Sequence, residues 1–211
     1  MVVTQSVAAF AAVVIADQVD SRVDADRVPE ALSALAHVGM LLPYERTAGD
    51  EIQGLAAAAE AVVESVIVLT RLEGWRVGVG IGALDEPLPD STRAARGVAY
   101  LAARTAIGTA RWSPVALSLV AGDSVRGGGY GEHVEDAETA LWLLRSTLAR
   151  RTREGWELMN LLNQGLTNAQ AAERLGISPS AASQRLGRAA RTEADRAALL
   201  ATRLLDRLAV R

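Results

Sequence analysis

The chain has 211 residues, with 22 basic and 25 acidic side chains and a formal net charge of −3. It contains no cysteine, and every basic residue is arginine, which excludes disulfides, thiolate metal sites, lysine-dependent phosphate loops and Schiff-base catalysis. The charge is divided unevenly. Residues 1–140 hold 10 Arg against 19 acidic residues (−9), and residues 141–211 hold 12 Arg against 6 (+6). This asymmetry favours an acidic module joined to one that suits a polyanionic partner, although a solvated arginine-rich helical tail gives the same sum.

The first apolar run, residues 7–16, predicts a strand that is buried on both faces. It is too short to span a membrane. Because the first basic residue is Arg22, the run also lacks the basic residues that precede the core of a signal peptide. We therefore expect no membrane association and a cytoplasmic location.

Strands and helices alternate through the rest of the first half. Residues 24–43 predict a helix, 44–48 and 52–56 two strands around a Gly49-Asp50 turn, 57–72 a helix, 75–84 a strand, 93–109 a helix and 115–120 a strand. The order β–α–β–β–α–β–α–β indicates an α/β (α+β) sandwich with a mixed sheet. Glycines at alternate positions in strand 75–84 indicate the close approach of another backbone.

A glycine-rich run at residues 126–131 marks the expected domain boundary, with an α/β domain at 1–128 and an all-helical domain at 129–211. Residues 134–150 predict an amphipathic helix that connects the two. The last helix, 193–210, has a broad apolar face for which two interpretations stay open. It forms a dimer seam, or it covers its own domain.

Residues 165–188 read GLTNAQAAERLGISPSAASQRLGR. Thr167 and Gln170 have capping-box spacing, Gly176 suits a turn, and Ser178 and Pro179 suit the start of a second helix. This order describes a helix-turn-helix at about 166–188, whose second helix would enter the major groove of double-stranded DNA. The alternative is a helical hairpin that only packs or dimerises. The candidate DNA contacts are Ser178, Ser180, Ser183, Gln184, Arg185 and Arg188, because Gln can pair with adenine and Arg with guanine or phosphate.

This segment resembles the helix-turn-helix regions of bacterial regulators, including the fourth region of sigma factors. The resemblance implies DNA binding and extends over about thirty residues.

Two carboxylates form a candidate metal site in the first half. Asp17 ends the first strand and Asp50 lies in the hairpin turn, so they converge at one sheet edge if those strands are neighbours. Such a pair can hold Mg²⁺ together with a nucleotide phosphate. The alternative is that both residues only cap turns.

Four segments, residues 16–22, 48–55, 76–82 and 97–104, resemble the SatD family in order and spacing, over about residues 7–125. That family is similar in turn to the palm-like domain of nucleotidyl and diguanylate cyclases, and the AGDEI stretch at 48–52 is similar to their GGDEF signature. The resemblance implies a ferredoxin-like palm fold, metal-binding roles for Asp17 and Asp50, and for Arg104 the role of stabilising charge in the transition state.

Two departures from the cyclase pattern argue against efficient catalysis. Tyr100 replaces an asparagine, and the lysine that helps to select adenine cannot be present. The favoured hypothesis is therefore a DNA-binding transcription regulator, whose degenerate palm binds a nucleotide or supplies a homodimer interface. The alternatives are a divalent-metal-dependent nucleotidyl cyclase or other nucleotide-processing enzyme, with Arg104 as its catalytic residue, and an assembly module that only binds protein.

Overall fold

The structure, a computed structural model, describes residues 10–122 and 130–208. Its first part consists of β1 (Ala12–Gln18), α1 (Val28–Leu35), β2 (Leu42–Arg46), β3 (Glu51–Ala56), α2 (Ala59–Leu72), β4 (Trp75–Ile81), α3 (Val98–Ala110) and β5 (Leu117–Ala121). The later part consists of α4 (Tyr130–Ala149), α5 (Arg153–Asn163), α6 (Asn168–Arg174), α7 (Pro179–Arg188) and α8 (Arg191–Asp206). The element order expected for the first half is confirmed.

The strands form one mixed sheet in the order β2-β3-β1-β4-β5. β1 lies at the centre, antiparallel to β3 and β4, while β2 is antiparallel to β3 and β5 is parallel to β4. Helices α1 and α2 each connect two parallel strands that have another strand between them, which is the split arrangement of the ferredoxin-like fold. The predicted fold class, α+β with a mixed sheet, is confirmed.

The central strand β1 is buried on both faces. Val13 and Ile15 pack in the apolar cluster that α3 forms on one face. Ala12, Val14 and Ala16 belong to the larger cluster on the other face, which is formed with α1, α2, α4 and α8. A continuous apolar run, rather than an alternating one, is what a strand covered on both sides requires.

Helix α3 lies unusually close to β4 because of two glycines. A Cβ on Gly80 would lie 2.0 Å from the backbone nitrogen of Ala103, and one on Gly78 would lie 2.3 Å from that of Ile107. These distances are far inside van der Waals contact, so only glycine fits at either position. The close backbone approach predicted from the alternating glycines is confirmed.

Helix α4 covers the outer edge of β5 with polar side chains. The backbone N–H of Leu119 donates to the Glu138 carboxylate at 2.8 Å, and the indole N–H of Trp142 donates to the carbonyl of Leu117 at 2.8 Å. These side chains occupy backbone groups of the edge strand that would otherwise be free to pair with another strand. Through these contacts α4 is fixed to the sheet.

The last helix, α8, packs on α4 and α2 of the same chain. Its inner side buries Ala194, Ala201 and Leu205, and Leu208 beyond its end is buried as well. Leu199 and Leu200, in contrast, are 51% and 47% exposed. The broad apolar face expected for this helix is therefore divided into a side that packs within the chain and a smaller exposed side.

Some expectations differ from the structure or fall outside it. Helix α3 begins at Val98 rather than at residue 93, because Gly97 has a φ of +131° and pairs with Leu84 in a β-bridge. Residues 7–9 of the expected first strand, the glycines at 127–129 and the boundary after residue 128 lie outside the described residues. Within 10–122 and 130–208, no helix has the length and apolar character needed to cross a membrane.

Candidate nucleic-acid interface

Helix α6 starts at the capping box expected from the sequence. The Thr167 hydroxyl accepts from the backbone N–H of Gln170 at 3.3 Å, and the Gln170 side-chain carbonyl accepts from the backbone N–H of Thr167 at 2.8 Å. Two N–H groups that a helix start leaves unpaired are thus satisfied reciprocally.

A short turn joins α6 to α7. Gly176 takes a φ of +66°, which favours glycine because no Cβ is present to clash. The Ser178 hydroxyl accepts from the backbone N–H of Ala181 at 3.1 Å, and Pro179 occupies the first position of α7. The cap and the proline fix where the second helix begins.

Helices α5, α6 and α7 pack together as a three-helix unit. Its small core is formed by α5, α6 and the end of α7, and consists of Leu158, Met159, Leu162, Ala171 and Ala189. Ala182 on the inner side of α7 is fully buried. Small residues at this point allow α6 and α7 to lie close together, as a helix-turn-helix requires.

The unit is anchored to the rest of the chain around one aromatic ring. The guanidinium of Arg151 lies 4.4 Å from the ring centroid of Trp156, and that of Arg71 on α2 lies 5.5 Å from it. Arg71 also donates to the side-chain carbonyl of Asn160 at 3.0 Å. These contacts fix α5 against α2 and against the end of α4.

The candidate DNA contacts lie along the outer side of α7. The side chains of Ser178, Ser180, Ser183, Gln184 and Arg188 are exposed, and Arg185 is half-buried. The Ser183 hydroxyl accepts from the side-chain amide of Asn168 at 3.1 Å, so this residue also links α7 to α6. The structure therefore brings the whole predicted set onto one helix.

Arginines surround a cleft of about 550 Å³ beside the start of α5. We call it the arginine cleft, and it is lined by Arg150, Thr152, Glu154, Gly155, Arg185, Arg188 and Ala189. Among the residues that the structure describes, the side chains of Arg150, Arg185 and Arg188 form no ion pair or hydrogen bond. Three guanidinium groups that form no ion pair or hydrogen bond, beside one carboxylate, leave an excess of positive charge that favours an anion.

One carboxylate faces the same cleft. Hydrogen bonds from its own backbone N–H and from the Thr152 hydroxyl, with Arg185 and Arg153 nearby, lower the pKa of Glu154. Glu154 therefore stays ionised and reduces the net positive charge of the cleft. Arg150 is not among the predicted DNA contacts, although the basic run at residues 150–153 is a signal for it in the sequence.

The other predicted site, at Asp17 and Asp50, belongs to the α/β part of the chain and lies where β1 and β3 meet. Asp17 pairs with Glu51 in the strand register and forms an ion pair with Arg76 at 3.4 Å. Burial raises the pKa of Asp17, opposed by Arg76 and reinforced by Asp50 and Glu51. The two predicted carboxylates, Asp17 and Asp50, are thus close enough to interact.

The neighbouring carboxylate of Glu51 is bound by side chains of the same chain. One oxygen of Glu51 accepts from Arg104 and the other from the hydroxyl of Thr47. Within the described residues, no group of three or more His, Asp or Glu side chains is placed to hold a metal ion. The Mg²⁺ and nucleotide site at Asp17 and Asp50, and the catalytic role of Arg104, stay predictions of the resemblance.

No family model matches the chain, and no significant match was found among curated protein sequences. Among solved structures, the chain is similar to a regulator of polyketide synthase expression from Bifidobacterium adolescentis. The two share 15% identity with a TM-score of 0.27, over 92% of this chain and 80% of that one. A similarity at this TM-score carries no argument about fold or function.

Proposed function

We propose that the protein binds double-stranded DNA through the α5–α7 unit and acts as a transcription regulator. The exposed side of α7 is the observation that carries this proposal. A capped helix presents polar side chains to solvent, and beside it lie arginines that form no hydrogen bond or ion pair with the described residues. In helix-turn-helix proteins the second helix enters the major groove and its first residues meet the base edges.

Base reading is assigned to the exposed polar side chains of α7. Ser178 and Ser180 lie at the start of the helix, and Gln184 lies one to two turns later. A glutamine side chain can donate to and accept from adenine in the major groove, while serine hydroxyls accept more than one partner. Gln184 is therefore the residue assigned to sequence specificity.

Binding of the DNA phosphate backbone is assigned to the arginine cleft. Arg185 and Arg188 lie in the last turn of α7, away from the end that would enter the groove, and Arg150 reaches the same cleft from the end of α4. Guanidinium groups bind phosphate in a bidentate manner. These arginines therefore position α7 on the duplex and contribute affinity for any sequence.

In this proposal the α/β part is a degenerate palm that serves as a sensor or dimerisation domain. Arg104 supports that role over a catalytic one, because its guanidinium is paired with Glu51 of the same chain. Electrostatic stabilisation of phosphoryl transfer needs cationic groups that are directed at the substrate.

The test is a selection of bound duplexes from a random DNA pool by the full chain, followed by fluorescence-anisotropy titrations across salt concentrations. Gln184→Ala should cost about 1–3 kcal/mol at one base pair and relax specificity there. Arg188→Ala should weaken binding to every sequence and lower the salt slope by about one.

Two controls make the result specific. Arg111→Ala, an exposed arginine that lies beside Trp112 at the end of α3, should leave the titration unchanged. Asp50→Ala should retain DNA binding. If the wild-type protein enriches no sequence and its affinity does not depend on salt, the proposed function is wrong.

A further inference from the structure

A second cleft, of about 650 Å³, lies at the start of α3, on the face of the sheet opposite α1 and α2. We call it the α3 cleft. Its walls come from β3, from the segment before α3 and from the first two turns of α3. The proposed DNA interface on α5–α7 contributes none of the residues that line it.

Three arginines line the α3 cleft, in a part of the chain that is acidic overall. Arg93 and Arg96 form no side-chain hydrogen bond or ion pair with the residues that the structure describes. Arg104 lies at the far side and is paired with Glu51. Two exposed guanidinium groups without partners at the rim of one concave surface favour a doubly charged anion.

The other walls suit an organic group rather than a bare ion. Leu101 is 72% exposed, and the half-buried ring of Tyr100 lies beside it in the lining. The volume is in the range of small-molecule sites, roughly 300–1,000 Å³, and far exceeds a single phosphate group. Leu101 and Tyr100 therefore offer an apolar surface to the carbon part of a ligand.

One carboxylate lines the same cleft. Asp85 is exposed, and no described side chain forms an ion pair with it. A carboxylate repels phosphate but accepts hydrogen bonds from hydroxyl groups. Asp85 lies beside Arg96, because its backbone N–H donates to the Arg96 carbonyl at 3.1 Å, so a hydroxyl next to a phosphoryl group on Arg96 is within its reach.

The first turn of α3 adds no competing negative charge. It holds no acidic residue, and Gly97 at its start provides no side-chain cap. The carboxylates near the arginines belong to the sheet instead: Glu45 accepts from the backbone N–H of Arg93 at 3.3 Å, and Glu51 is paired with Arg104.

We propose that the α3 cleft binds a small phosphate ester that bears hydroxyl groups. Arg93 and Arg96 hold the phosphoryl group, Asp85 accepts from a hydroxyl, and the carbon skeleton lies against Leu101 and Tyr100. This ligand site goes beyond the proposed DNA binding and does not depend on it, because the two surfaces share no residue.

The test is isothermal titration and thermal unfolding of the full chain with ribose 5-phosphate, glucose 6-phosphate and adenosine 5′-monophosphate. Ribose, inorganic phosphate and potassium sulfate at equal ionic strength are the comparison ligands. At least one ester should bind more tightly than inorganic phosphate and raise the unfolding temperature, while ribose should do neither.

Variants locate the binding. Arg93→Ala and Arg96→Ala should each weaken the affinity for that ester about tenfold or more. Both side chains are exposed, so the far-ultraviolet circular dichroism should stay that of the wild type. Arg111→Ala, at the other end of α3, is the matched control and should bind normally. The proposal is overturned if no ester binds, if inorganic phosphate binds as tightly as the esters, or if both variants bind like wild type.

Discussion

The guanidinium of Arg151 donates a 2.8 Å hydrogen bond to the backbone carbonyl of Ala189. Arg151 follows the end of α4, and Ala189 is the residue at which α7 ends, so one side chain joins the start of the three-helix unit to the end of α7. Both residues are buried, and burial lowers the pKa of Arg151. Arg151, which lies just before α5, therefore holds the end of α7 in place.

Replacing Arg151 by Ala should destabilise the protein and abolish DNA binding. The change removes a charged hydrogen bond to a buried carbonyl and the contact with Trp156, which together contribute about 2–4 kcal/mol. Urea unfolding followed by tryptophan fluorescence measures the loss. Arg153→Ala is the control, because that side chain is 87% exposed and its pair with Glu157 should contribute less than about 1 kcal/mol. Equal unfolding midpoints for the two variants would contradict the role of Arg151.

Substitution of Gly80 by Ala should lower the free energy of unfolding by about 3 kcal/mol, because the new methyl group would overlap the backbone of α3. The matched variant is Gly108→Ala, on α3 itself. Its Cβ would meet nothing within 4 Å, and alanine is the better helix former by about 0.5–1 kcal/mol. Thermal unfolding should therefore shift in opposite directions for the two variants. A Gly80→Ala protein as stable as wild type would show that α3 is not held this close.

Asp17→Asn should change how stability depends on pH. Burial raises the pKa of Asp17, so as the pH rises above the ordinary value of 3.8 the unfolded chain loses this proton before the folded protein does. Wild type should lose stability relative to Asp17→Asn across that window. Parallel urea-unfolding series at several pH values measure the difference. If the difference in unfolding free energy between the two proteins stays constant with pH, or shifts in favour of wild type as the pH rises, the raised pKa of Asp17 is contradicted.

Arg145→Met should weaken the attachment of α4 to the sheet. Arg145 is 7% exposed, and its guanidinium donates to the backbone carbonyls of Ala116, at 2.9 Å, and of Trp75. Desolvation lowers its pKa to about 10, so the group is charged at neutral pH. Methionine fills similar space but leaves the carbonyls unpaired, at a cost of about 2–4 kcal/mol. Unfolding in guanidinium chloride measures this loss of stability, and Arg150→Met, at an exposed position, is the control.

Local chemistry made much of the fold predictable. The apolar run of β1, the Gly49-Asp50 turn and the glycines of β4 each have one physical interpretation, and together they imply the element order that the structure confirms. The helix caps at Thr167 and Ser178 were equally predictable from the sequence, because a capping residue and its partner lie three positions apart in the chain. Interactions over such short distances are encoded by adjacent residues.

Contacts between distant segments were not predictable in the same way. Nothing local shows that Arg150 would join Arg185 and Arg188, or that Arg93 and Arg96 would share a cleft with Asp85. The ion pair of Arg104 with Glu51 likewise depends on how α3 crosses the sheet. The beginning of α3 was misplaced because the positive φ of Gly97 outweighs the helix propensity of the residues before it.

The three-helix unit α5–α7 lies in the chain between α4 and α8, and these two helices pack against each other. Its two ends are therefore held at neighbouring points, which removes the free rotation that a single flexible tether would allow. A truncation before α8 would free one end of the unit and expose the apolar sides of α4 and α2 to water.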